Sequence, residues 1–273
     1  MKSILDVLAS GITTRARRLL LMFILVPILL TFGNSAIAQN GSASPNSNNP
    51  QKAEPNVKQY LTDKYQKIQE VMSSLYQTPN GPQGKLHIRG NFMPKNAPAI
   101  GGDRENRSRA IAKAFLEEEA TLLGIKDMAE LKEVRINTEK GHDGDYINIY
   151  YRRYINNLEL EKAHLYIIIG PDETINSVSA GLVPVPPELY QAVAKKQLPE
   201  EKIREIVKQD LKSSGNIEAN NVKIADMAKV AVATAPYLIW KVRVTIKTGT
   251  EDWDYKIDAL TGEILNKRSA LIE

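Results

Sequence analysis

Residues 150–184 read YYRRYINNLELEKAHLYIIIGPDETINSVSAGLVP. An alternating run stops at Asn156-Asn157, resumes, stops again at Pro171-Asp172 and resumes once more. Asparagine tolerates the left-handed backbone that a two-residue hairpin loop requires, so the pattern predicts two strands joined at Asn156-Asn157 and a third beyond the Pro-Asp turn.

Working outward, strands are expected over 131–137, 145–154, 160–169 and 174–182, with 140–144 as a further turn. Residues 85–92 supply an opening strand. A helix capped by Asn106 or Ser108 runs to about Leu123, with Ile111, Ala114, Phe115, Leu122 and Leu123 on its dry face and Gly124 as its stop. Pro184, Pro186 and Pro187 mark a boundary, after which the order helix-then-meander repeats without a clear sequence repeat. The second helix starts at Pro199, with Ile203, Ile206, Val207 and Leu211 as its stripe. Strands follow over 222–234, 237–247, 253–259 and 263–266. In 237–247, Leu238, Trp240, Val242, Val244 and Ile246 alternate with mostly polar residues, as in a sheet covered on one side. The fold class expected is therefore α+β: two helix-on-antiparallel-sheet units, 85–184 and 185–273.

The N-terminus is of another kind. Arg15, Arg17 and Arg18 precede an apolar run of 14 residues, 19–32, and Ala36-Ile37-Ala38 forms an A-x-A site, so residues 1–38 read as a signal peptide cleaved between Ala38 and Gln39. The run is short for a membrane span and contains Pro27, which makes an uncleaved anchor the lesser alternative; no stable membrane insertion is expected after cleavage. The product is expected to be periplasmic or secreted. Lys2, Arg15, Arg17 and Arg18 against Asp6 account for +3 of the formal +4, leaving +1 and no electrostatic case for nucleic-acid binding. The absence of cysteine excludes disulfides, thiolate metal sites and thiol catalysis. Residues 39–56, rich in Asn, Ser and Pro, read as a flexible linker. Over 57–76, Leu61, Tyr65, Ile68, Met72 and Leu75 recur at steps of four and three, which predicts an amphipathic helix that either packs on its own domain or docks a partner.

On these motifs the chain resembles a known pro-region. The KLHIRGNF strand, the RAIAKAFLEEEATLLGI helix, the RRYINNLELEKAHLYIII hairpin and INSVSAGLVP are similar to the fungalysin/thermolysin propeptide (FTP) module of secreted zinc metalloproteases. PYLIWKVRVTIKT and DWDYKIDALTGEILNK resemble the PepSY-type half that follows it. In the latter, Trp253, Tyr255 and Ile257 are expected to alternate inward. Asp258 to Gly262 should form the turn, with Asp258 a turn residue rather than a catalytic one. The hairpin departs from the family pattern Q-Y-Y-N-G-[LIV]-P-V-x-G: Arg153 stands for Gln, Asn157 for Gly, Glu159 for Pro and Lys162 for Gly, giving a charged tip.

Enzymatic signatures are missing from the sequence. A thermolysin-like enzyme needs H-E-x-x-H, whereas His87, His142 and His164 lie no nearer than 22 residues to one another. The Gly141-His142-Asp143-Gly144-Asp145 run does not match an EF-hand and reads as a hairpin turn. No P-loop, dinucleotide fingerprint or triad signature occurs, so neither a catalytic residue, a metal site nor a cofactor is assigned, and the chain is expected not to be an enzyme. Binding is left. Tyr146, Tyr150, Arg152 and Tyr154 share one face of strand 145–154, and Tyr166, with His164, joins them from the paired strand. The competing reading is a face covered by the other domain or by the 57–76 helix. The resemblance implies a non-catalytic protein that binds a secreted metalloprotease in trans, as inhibitor or folding chaperone; the alternative is a cell-envelope scaffold that keeps the fold without a protease partner.

Overall fold

The path of the chain is set by one exceptional strand in the opening hairpin. In a computed structural model, which describes residues 54–99, 101–214, 221–246 and 252–270, that strand is β6 (Leu158–Ile169). It pairs with β5 (Asp145–Ile155) along one edge and with two different strands along the other. Its C-terminal half pairs antiparallel with β7 (Ile175–Leu182), while Glu159 and Leu160 pair in parallel with Val230 and Ala231 of β8 (Val222–Ala231). The β5–β6 register slips between Arg152 and Tyr154, and Lys162 sits inside the slip at φ 67°. A bulge of this kind bends and twists a strand, which is how β6 can serve two neighbours. The position where the family pattern carries glycine is thus one with left-handed backbone, and here lysine occupies it.

Among the described residues, eleven strands join in one sheet. From β6 the sheet continues through β7 to β3 (Gly81–Phe92) and β1 (Ile68–Ser73), with β2 (Tyr76–Thr78) also on β3. β4 (Leu131–Lys140) flanks β5. In the other direction run β8, β9 (Leu238–Ile246), β10 (Asp252–Asp258) and β11 (Ile264–Ser269). The protein is α+β with a mixed, mostly antiparallel sheet. The described residues lie in one compact unit, and the strands expected as two separate sheets are hydrogen-bonded into one.

The apolar interior nevertheless falls into two clusters. In the first, α1 (Glu54–Lys64) and α2 (Arg104–Glu118) share a core with the inward residues of β3, β5, β6 and β7. Tyr65, Phe92 and Phe115 meet there with ring centroids 5.1–6.2 Å apart, in the tilted and edge-on arrangements that ring quadrupoles favour. In the second, α3 (Pro187–Val193) and α4 (Glu200–Ser214) cover β9 and β10 through Leu189, Ile203, Val207 and Leu211. Asp258 accepts hydrogen bonds from the backbone amides of Leu260 and Thr261, and Gly262 supplies φ 81°, so the turn is built as its sequence implies.

Several expectations are corrected. The helix expected over 57–76 ends at Lys64, and Ile68–Ser73 is a strand. Val57, Leu61 and Tyr65 do form a buried stripe, but Lys67 turns the chain at φ 69° and Met72 is 52% exposed. Beyond the turn, burial follows Val71 and Leu75, four residues apart and with strand parity, so the 4-3 spacing was accidental there. The helix begins at Glu54, within the expected linker. The cap of α2 is Asp103, which accepts from the Asn106 amide at 2.8 Å, rather than Asn106 or Ser108. The proline-rich boundary contains α3, whose start uses the fixed φ of proline at the first helical turn. Residues 1–38, the Ala38–Gln39 cleavage site and linker residues 39–53 lie outside the described residues. Among those described, no helix is long and apolar enough to cross a membrane.

Candidate functional site

β5 alternates as its sequence requires, except that Asn148 on the outward face is also buried. Ile147, Ile149, Tyr151, Arg153 and Ile155 are buried, while Tyr146, Tyr150 and Tyr154 are half-buried and Arg152 is exposed. The register places Tyr150 opposite Tyr166, and Arg152 opposite His164. Tyr150, Arg152, His164 and Tyr166 therefore come together, and with Arg135 and Ser179 they line an open groove of about 550 Å³. The tyrosine rings stack at 4.4 Å with 24° between their planes, and the Arg135 guanidinium lies 4.0 Å from the centre of Tyr150. A cation over a ring face is attracted by the ring quadrupole, which fixes Tyr150 between two neighbours.

Hydrogen bonds hold the stack upright. The Tyr166 hydroxyl donates to Asn148 Oδ1 at 2.8 Å, and Asn148 Nδ2 donates to Glu139 at 3.1 Å. Burial first, and the Tyr150 hydroxyl second, push the Tyr166 phenol well above the ordinary tyrosine range, so it stays a neutral donor. Arg152 is paired with Glu159 across the hairpin. The covering expected from the N-terminal helix is absent here: α1 packs with the inward residues, on the opposite side of the sheet.

Two of the expected site residues lie elsewhere on this face. Tyr146 stands at the β4–β5 turn, its hydroxyl 3.0 Å from both carboxylate oxygens of Asp143. Tyr154 is near the hairpin tip, under the ammonium of Lys132 at 4.8 Å. Neither lines the groove. Arg135 and Ser179 were missed because only the β4–β5 and β6–β7 registers bring them in.

The charged hairpin divides into an outer and an inner arginine. Arg153 is 4% exposed, and its Nε donates to Glu130 Oε2 at 2.8 Å. The other oxygen of Glu130 accepts from the Tyr190 hydroxyl of α3 at 2.7 Å. The Arg153–Glu130–Tyr190 chain thus spans from β5 to the helix that opens the second cluster. It is structural, and it explains a departure that the sequence left unexplained. Burial, then the hydrogen bond to Glu130, push the Tyr190 phenol up to about 12. A folded-state value raised above the ordinary tyrosine value of about 10 contributes stability that is intact below pH 10 and is lost as pH rises towards 12. In Tyr190→Phe, the fall in urea midpoint across that alkaline window is expected to be shallower than in the parent protein.

A second cleft, of about 570 Å³, lies on β9, β10 and β11. The register aligns Asp226, Arg243, Asp254 and Arg268 in one row of alternating sign. Arg243 and Arg268 lie 2.9 and 3.1 Å from Asp254, and Arg243 in particular holds the Asp254 carboxyl below the usual range. Asp254 is thus satisfied by two guanidinium groups. Among the described residues, no three His, Cys, Asp or Glu side chains are grouped so as to hold a metal ion.

Residues 197–268 match the PepSY family model, described as the peptidase propeptide and YPEB domain. They fall inside the segment whose sequence resembles PepSY, and the chain carries a PepSY domain there. Among solved structures, the Bacillus megaterium YpeB C-terminal domain aligns with 73% of this chain and 88% of its own length, at 11% identity and a TM-score of 0.25. That likeness is too loose to carry an argument. No curated protein matches the chain.

Proposed function

We propose that this is an exported, non-catalytic propeptide-like protein that binds a thermolysin-like metalloprotease in trans, as inhibitor or folding chaperone. In this reading, 85–184 is an FTP-like unit and 185–273 a PepSY-like unit, each a helix-covered part of the common sheet. The PepSY match at 197–268, whose family description includes peptidase propeptides, supports the class of partner. The observation that carries the site is the groove with its Tyr150–Tyr166 stack. Tyrosine rings bring contact area at small entropic cost, and tyrosine and arginine are both enriched among interface hot spots.

The competing reading is an envelope scaffold without a protease partner, which a charged hairpin and an additional N-terminal helix would favour. Both have internal roles: Arg153 is buried against Glu130, and α1 completes the first core. That weakens the case for the scaffold.

A propeptide tied to its enzyme enjoys a high effective concentration, whereas binding in trans must rely on contacts alone. Inhibition of a co-secreted thermolysin-like protease is expected at sub-micromolar concentration. Tyr150→Ala combined with Tyr166→Ala should weaken it by roughly tenfold or more with the fold retained. If no zinc protease is inhibited, and none is captured from periplasm or culture fluid, the proposal fails.

A further inference from the structure

The outward side chains of the first part of the sheet fall into register rows. One row runs Met72, His87, Ser179, Tyr166, Tyr150, Arg135 across β1, β3, β7, β6, β5 and β4. It is a ladder of large side chains with one small member, Ser179. Stacking on Tyr166 and on Arg135 engages Tyr150 from two sides, and uses one side of Tyr166. The other side of Tyr166 looks across β7, where Ser179 offers only a hydroxymethyl group. In the adjoining row the His164 ring and the Lys162 carbonyl lie over Gly181, so the gap is confined to Ser179. Neighbouring strands lie about 4.8 Å apart, so roughly 9.5 Å separates β6 from β3 across this gap. A planar group set there would stand about one strand spacing from Tyr166 and from the His87 position, close to the spacing of the tyrosine pair itself.

Cations predominate around the gap. The row through Gly181 reads Lys85, Gly181, His164, Arg152, Lys132. Arg135 and Arg152 line the groove and no carboxylate does. The pairing of Arg152 with Glu159 is at an exposed position, where such pairs are weak and open to exchange for another carboxylate. Complementary charge directs encounter and fixes register more than it adds affinity.

We infer that the gap over Ser179 receives an aromatic side chain from an acidic, extended segment of a protein partner. This rests on the reading of the same face as a partner site and narrows it to a chemistry. The test is calorimetric titration of the purified chain with three blocked pentapeptides: Asp-Glu-Phe-Glu-Asp, its counterpart with Ala for Phe, and its counterpart with Lys for every acid. The first should bind, the second roughly tenfold more weakly, and the third not measurably. Ser179→Phe fills the gap with the protein's own ring and should weaken the first peptide by roughly tenfold while keeping the parent unfolding midpoint. Should that variant misfold, Arg152→Gln at an exposed position gives the independent check, with weaker binding and a flatter salt dependence.

Equal binding of the Phe and Ala peptides overturns the inference, as does unchanged binding in Ser179→Phe, or in Arg152→Gln where that variant is the check. Binding of oligogalacturonate in place of the acidic peptide also overturns it, because the groove would then serve an anionic glycan. Protease inhibition measured in parallel separates the two proposals. Inhibition without peptide binding removes the gap as docking point and leaves the protease reading, whereas peptide binding without inhibition does the reverse.

Discussion

Arg153→Met is expected to destabilise the protein by about 3–5 kcal/mol, because it leaves the Glu130 carboxylate without its cation in a largely dry site. Glu130 has a side-chain exposure of 13% and Arg153 of 5%, so water can replace little of what is lost. Tyr190 alone would remain on Glu130, through one hydrogen bond. The double variant Arg153→Met with Glu130→Met should recover most of the loss, since apolar side chains of similar volume often replace a buried ion pair at little cost. Urea unfolding of the two single variants and the double variant forms a cycle whose coupling term isolates the pair. A single-variant loss below about 1 kcal/mol would mean that the site is wetter than its geometry implies, and the bridge between β5 and α3 would lose its structural role.

The hairpin, the strands around it and the second meander were legible because they obey local rules. Asn156 and Asn157 adopt φ 47° and 66°, the signs their chemistry favours, and β9 alternates dry and wet from Trp240 to Ile246. What was not legible depends on contacts distant in sequence. The end of α1 is one case, since Ile68 and Met72 continue a helical spacing, yet the chain turns at Lys67 so that β1 can pair with β3. The joining of the two halves through Glu159–Val230 and Leu160–Ala231 has no sequence signature at all. For the site, strand parity put Tyr150, Arg152 and Tyr166 on one face. Parity also put Arg153 with Ile149 and Tyr151, which already marked it as inward, but its partners Glu130 and Tyr190 lie 23 and 60 positions apart from Arg153 and Glu130 respectively. The gap over Ser179 needed three registers at once.

Gly84→Ala is the second change expected to have a large effect, and it acts through the backbone. Gly84 has φ 129°, a conformation that side-chain-bearing residues rarely adopt, with a cost of about 1–3 kcal/mol for the strain alone. A methyl group there would lie 2.3 Å from the Ser74 carbonyl oxygen and 3.2 Å from Leu75 Cα, so one strand would have to move. Such overpacking typically adds about 1–3 kcal/mol. The link on one side of the contact carries Leu75 and β3 on the other carries Leu86, both in the first core, and β3 also carries His87, the far side of the proposed gap. A combined loss of about 2–6 kcal/mol follows, read as a lower urea midpoint at an unchanged slope. Because β3 pairs with β7 through Lys85–Gly181 and His87–Ser179, a variant that still folds should also bind the acidic phenylalanine peptide more weakly. Full stability in Gly84→Ala would mean that β3 passes the Ser74–Leu75 link with more clearance than the close backbone approach allows, and the register that forms the gap would fall with it.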